Sequence, residues 1–242
     1  MKFNRKLSAP ILVCASILFL TTLLTSCDSL TPSEKISKQT ISVSDFESLD
    51  VSNAFTVYVD NSERESVEIE ANENLQEYIQ VEKEGKQLHI SLKKSFVTGK
   101  AVLNAYVSAK HLNEFKGSGA TQFILRDNLK ADKINIDLSG ASSLTGNIAA
   151  INFMAVLTGA SSIKLDGSAD IVVADCSGAS SIEGYGFQSR EASIEVSGAS
   201  DAKLTVNEKL NAEASGASTI NYKGNAVIGS QNSSGASNIN KE

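Results

Sequence analysis

Tryptophan is absent from the 242-residue chain, and proline, histidine and cysteine are scarce, with two, two and three copies. Each shortage excludes something. Pro10 and Pro32 both precede residue 40, so no later residue lacks the N–H that a β-ladder needs. His89 and His111 stand in no Ser/His/Asp or Cys/His spacing that suggests a nucleophile. Cys14, Cys27 and Cys176 include no CxxC pair and no metal-spaced set. Basic clusters are missing as well. Without Lys2, Arg5 and Lys6 of the leader, 19 basic residues face 28 acidic ones, a net charge of −9. That balance argues against a nucleic-acid partner. Nothing between 40 and 116 is long enough for a stable helix, and Asn72–Glu77 offers one turn at most.

The start of the chain reads as an export signal. Lys2, Arg5 and Lys6 form a basic n-region, and Ala9–Leu24 forms an apolar h-region too short for an ordinary spanning helix. The stretch ends in Leu24-Thr25-Ser26-Cys27, which resembles the lipobox of bacterial lipoproteins. That resemblance implies cleavage of 1–26 and lipidation of Cys27. Each acyl methylene buried in a bilayer contributes about 0.8 kcal/mol, so two chains or more hold a protein on a membrane. Cys176 then remains alone and reads as a small buried apolar residue. Residues 27–39 are polar and aperiodic, with a proline, and read as a flexible tether.

Residues 40–116 alternate as strands do. Phe55, Val57 and Val59 share one face. Ile79 and Val81, then Leu88, Ile90 and Leu92, flank Glu84-Gly85 and predict a hairpin. Val102–Val107 predicts a further strand.

From residue 117 one phrase returns: SGAT at Ser118, TGAS at Thr158, and SGAS at Ser139, Ser177, Ser197, Ser215 and Ser234. Its glycines are Gly119, Gly140, Gly159, Gly178, Gly198, Gly216 and Gly235, at intervals of 21, 19, 19, 20, 18 and 19 residues. A fixed period of this length marks a stacked repeat. Counted from the glycine, position −2 holds Leu138, Leu157, Cys176, Val196 and Ala214. Position −4 holds Ile136, Ala155, Ala174, Ile194 and Ala212, and position −6 holds Ile134, Phe153, Val172, Ala192 and Leu210. Position +4 holds Phe123, Leu144, Ile163, Ile182, Ala202, Ile220 and Ile239. Steps of two put these on one face of a strand, and a 19-residue unit buries that face only against its neighbours. The expectation is an all-β fold: a parallel β-solenoid, right-handed by the crossover rule, of about seven coils over 117–242. A β-rich N-terminal part over 40–116 precedes it. The Gly-Ala pairs are its corners, with small serines at −1 and +2 bonding local backbone. The last coil puts Gly229, Gln231 and Ser233 at the core positions, a polar end to the stack.

The lipobox, the β-rich lead (Phe46, Leu49, Val51, Phe55, Val57) and the SGAS repeats together resemble the head GIN domain family of auto-transporter adhesins. The resemblance covers roughly 40–240. It implies a β-helical envelope lipoprotein that binds or adheres, with no catalytic residues to carry over.

Two chemistries compete on the outward positions. Position −3 holds Lys116, Asp137, Val156, Asp175, Glu195, Glu213 and Asn232. In register, Asp175, Glu195 and Glu213 would lie about 5 Å apart, a repulsion that solvent or a weakly bound Ca²⁺ relieves. The same carboxylates suit a polysaccharide-binding or polysaccharide-degrading β-helix. The uniform short coils favour a non-catalytic scaffold or adhesin, lipid-anchored at the envelope, with a glycan or protein ligand and no cofactor beyond that calcium. Regularly spaced serines, and Tyr185, Phe187 and Tyr222, are the residues that would meet a sugar.

Overall fold

The computed structural model describes residues 30–93 and 97–242. Cys27, the export signal and residues 27–29 of the expected tether lie outside the described residues.

The early strands are β1 (Ile36–Ile41), β2 (Ser48–Val51), β3 (Thr56–Asn61) and β4 (Ser66–Asn72). A 3-10 turn at Glu73–Tyr78 leads to β5 (Ile79–Glu84), β6 (Gln87–Leu92), β7 (Leu103–Ala109) and β8 (Glu114–Gly117). The repeat supplies β9 (Gln122–Leu138), β10 (Ser143–Leu157), β11 (Ser162–Cys176), β12 (Ser181–Val196) and β13 (Asp201–Ala214). β14 (Thr219–Lys223), β15 (Val227–Ser233) and β16 (Asn238–Lys241) follow.

The repeat strands stack parallel and one coil apart. Leu144 pairs Ile163, Ile163 pairs Ile182 and Ile182 pairs Ala202. Every apolar residue predicted at −6, −4 and −2 is buried, as is the +4 row from Phe123 to Ile220. A closed stack of this kind consumes the backbone groups of each strand on both sides, so it needs neither helix nor disulfide. The polar last coil is exposed along all of β15, as its Gly229, Gln231 and Ser233 predict.

The N-terminal part belongs to the same sheet. β2 pairs both β6 and β8 in parallel, and β3 pairs both β7 and β9. The early coil β2–β3 therefore lies between two coils that come later in the chain. Burial from both sides explains why Leu49, Val51, Phe55 and Val57 are fully enclosed. Beyond β6 and β7 the sense reverses: β5 pairs β6 antiparallel in the predicted hairpin, β4 pairs β7 antiparallel, and β1 pairs β4 antiparallel. These antiparallel strands close the N-terminal end. The expected boundary at 116/117 does not interrupt the sheet, since β8 runs through Gly117 and pairs both neighbours.

The tether expected over 27–39 is corrected where it is described. Leu30 bridges Val97, and β1 begins at Ile36. Between them, Ser33 N–H donates to Asn74 Oδ1 at 2.8 Å, and the Asn74 and Asn72 amides donate to the carbonyls of Thr31 and Ser33. Polar side chains bind this segment through its backbone, which leaves no apolar period in the sequence.

Candidate functional site

The corners come first, because they decide which faces are free. All seven repeat glycines have φ between +72° and +81°. In six of the seven corners the hydroxyl at +2 turns back to the carbonyl at −1, as in Ser161 Oγ to Thr158 O at 2.8 Å and Ser180 Oγ to Ser177 O at 2.7 Å, while Ser200 Oγ accepts the Ser180 N–H at 3.3 Å. These hydroxyls are buried from Thr121 to Ser218. The serine at +2 is thus spent on the turn and offers nothing to a ligand.

An eighth corner has no glycine. Ser52-Asn53-Ala54-Phe55 lies in register with Ser118-Gly119-Ala120-Thr121, because Val51 pairs Gly117 and Thr56 pairs Gln122. Asn53 takes the left-handed conformation, φ +68°, and its Oδ1 accepts the Leu92 N–H at 3.0 Å. Asn is among the residues that tolerate this region. The signal in the sequence was a single Ser-x-Ala between alternating runs.

The wall leading into each corner alternates strictly. Positions −6, −4 and −2 point inward, so −5 and −3 point out. The −3 row stands in the predicted register: Lys116 beside Asp137, Val156 beside Asp175, Asp175 beside Glu195, Glu195 beside Glu213 and Glu213 beside Asn232. The row continues past Lys116 to Asp50 and His89, whose Nδ1 lies 3.3 Å from an Asp50 carboxylate oxygen. Among the described residues, Asp137, Asp175, Glu195 and Glu213 form no ion pair, while Lys116 is drawn to Glu114 at 3.1 Å.

The −5 row beside it holds Met154, Val173, Ser193, Asn211 and Ser230, and the two rows border a shallow groove of about 300 Å³. Its apolar end is open to solvent. Met154 is 44% exposed, its register partner Val173 42%, and Ile171 beyond them 44%.

The carboxylates stack, but they do not converge. Among the described residues no three His, Cys, Asp or Glu side chains gather as a metal site requires. The calcium expected at Asp175, Glu195 and Glu213 therefore finds no built cage. The groove lining holds no histidine, lysine or arginine. His89 lies five ladder steps from Asp175, about 24 Å at strand spacing.

The expected sugar-facing aromatics are mostly internal. Phe187 and Tyr222 are buried, Phe187 edge-on to Phe153 with centroids 5.1 Å apart. Tyr185 remains at the surface beneath the Lys223 ammonium. Sequence reasoning missed a different pair. Tyr58 and Tyr106 stack at 5.1 Å on the wall formed by β3 and β7, with Arg126 over Tyr58 at 4.5 Å and Lys38 over Tyr106 at 5.0 Å. The Tyr106 hydroxyl donates to Glu70 Oε2 at 2.8 Å. Their faces are occupied by these cations, so they are no open platform. The clue was a tyrosine between inward residues in both TVYVD and NAYVS. Cys176 is fully buried, and burial pushes its thiol up to about 12, so it is no nucleophile.

The fold has solved relatives. A crystal structure described as a "putative adhesin" from Bacteroides fragilis superposes with a TM-score of 0.84 at 21% identity, covering 88% of this chain and 100% of the other. A "putative adhesin" from Parabacteroides distasonis gives 0.71 at 19% identity over 89% and 100%. A "putative lipid binding protein" from the same species gives 0.71 at 20% identity over 88% and 99%. At these identities the likeness shows the fold. No curated protein matches the chain. A family model described as "Putative auto-transporter adhesin, head GIN domain" matches residues 45–226. That match runs from the start of the early coil through the sixth glycine corner, and the chain belongs to the head GIN domain family.

Proposed function

We propose that this protein is a non-catalytic binding module of the cell envelope, held to a membrane through lipid on Cys27, and that the wall carrying the −5 and −3 rows is the face it offers to a ligand. One observation carries the reading: the groove between those rows runs from β10 to β15, and among the described residues no loop folds over it to make a reaction cleft. Uniform coils give an extended, flat contact surface, which suits adhesion better than chemistry. The names of the structural relatives point the same way.

The test is adherence. Bacteria carrying the full chain, or its Ser193→Arg variant at equal abundance, are applied to immobilised glycans and matrix proteins. Ser193 is exposed in the middle of the groove, and arginine there fills it and offsets the row of carboxylates. Adherence by wild type that is lost in the variant supports the proposal; equal adherence by both overturns it. A Cys27→Ser chain tests the anchor separately: it should leave the membrane fraction.

A further inference from the structure

We infer that the groove binds a basic, amphipathic polypeptide segment, one that sets apolar side chains beside lysine or arginine. The inference rests on the binding face proposed above and names its ligand class.

Three features of the wall converge on that chemistry. At one end, Met154 and Val173 are neighbours in register, Asn152 and Ile171 are the neighbours next to them, and Val156 lies alongside. Met154, Val156, Ile171 and Val173 form an apolar patch across β10 and β11, interrupted only by Asn152. A soluble face gains nothing from such a patch unless something covers it. Starting on the same strand, Asp175, Glu195 and Glu213 occupy β11, β12 and β13 and, among the described residues, form no ion pair; the groove lining itself contains no basic residue, Lys209 lining only the adjoining depression with Ile171. A partner bringing positive charge relieves their mutual repulsion, so complementarity favours a cationic ligand. Beside the acids on β12 and β13, Ser193 and Asn211, and beyond them on β15, Ser230 and Asn232 supply side-chain hydrogen-bonding groups of the kind that meet a peptide backbone.

The geometry suits a chain segment. From β10 to β15 the groove crosses five strands, about 19 Å, the length of roughly six extended residues. Other occupants fit less well. A second copy, with net charge −9 without its leader, would lay the same carboxylates against these. A glycan would find no aromatic ring in the lining. An isolated cation would find no converging ligands.

The probe is a fluorescent decapeptide of alternating leucine and lysine. Its binding is measured by anisotropy against the full chain in phosphatidylcholine nanodiscs, with empty nanodiscs subtracted. Leu–Glu and Ser–Lys decapeptides serve as controls. The Leu–Lys peptide should bind at least about tenfold tighter than either control. Glu195→Gln/Glu213→Gln and Met154→Ser/Val173→Ser should each weaken it roughly tenfold while melting as wild type does. Glu183→Gln/Asp201→Asn, on a different wall, should change it less than about twofold. Binding no tighter than the Leu–Glu peptide, or equal losses from groove and control variants, overturns the inference. If adherence still depends on Ser193 while the groove ignores the Leu–Lys peptide, the inference falls and the proposed function stands. Indifference in both assays overturns both.

Discussion

The carbonyl oxygen of Gly159 accepts the Ala179 N–H at 2.7 Å, and a Cβ on Gly178 would sit 2.5 Å from that same oxygen. The relationship repeats from Gly140 to Gly216, each glycine lying against the oxygen of the one before it. Glycine is therefore required twice at each corner, for its left-handed φ and for the closeness of the next coil. Gly178→Ala should cost at least about 2 kcal/mol and lower Tm by several degrees. Gly85 has positive φ but nothing within 4 Å, so Gly85→Asn should leave Tm nearly unchanged. Thermal melts of the two variants check the contrast.

Asn53 is the corner residue that replaces glycine, and its side chain bonds the next coil through Leu92 N–H. Asn53→Gly keeps the backbone conformation and removes that bond. We expect a loss of about 1 kcal/mol in urea unfolding, where Gly→Asn at Gly159 should be far more damaging.

Phe123 is fully buried and meets Phe115 edge-on with centroids 5.6 Å apart, where the early coil joins the repeat. Phe123→Ala should destabilise by about 3–5 kcal/mol, and hydrogen exchange should show protection lost first on β3 and β9.

Burial raises the Cys176 thiol from 9.0 to about 12. A group whose folded value is raised gives stability that is whole below its unfolded value and lost as pH climbs to its folded one. Stability should therefore fall between pH 9 and about 12, and less steeply in Cys176→Val. Valine already fills the equivalent place at Val196, its register partner, so the variant should match wild type at neutral pH. In wild type, the thiol should resist alkylation until the chain unfolds.

Glu70 behaves in the opposite sense. Hydrogen bonds from Asn104 and then Tyr106 hold its carboxyl below 4.5. Its stabilisation is present above pH 4.5 and is lost as acid protonates the folded state. Glu70→Gln should flatten the acid limb of a Tm-against-pH curve, and, because the Glu70 carboxylate is what chiefly raises the Tyr106 hydroxyl, it should soften the alkaline fall as well.

How much was legible depends on repetition. Each inward row reports the same environment many times over, so Ile136, Ala155, Ala174, Ile194 and Ala212 could be placed without coordinates. The −3 carboxylates followed from the same register. Ser52–Phe55 was not recognised as a corner because it occurs once and lacks the glycine. The pinned segment 30–35 escaped for a related reason: its partners are Asn72 and Asn74, about forty residues away.

By itself the sequence determined the solenoid, its inward rows, its corners and the register of its outward faces, because a period near 19 with alternation inside it leaves one way to bury the apolar residues. Tertiary structure alone decided where the N-terminal part goes. It put β2–β3 between β6–β7 and β8–β9, and so brought Tyr58 against Tyr106. It also decided that the acidic row stacks without converging, and that Met154, Ile171 and Val173 share one exposed patch beside it. Strand pairing between distant segments is settled by which burial is most complete, and that leaves no local mark on the chain.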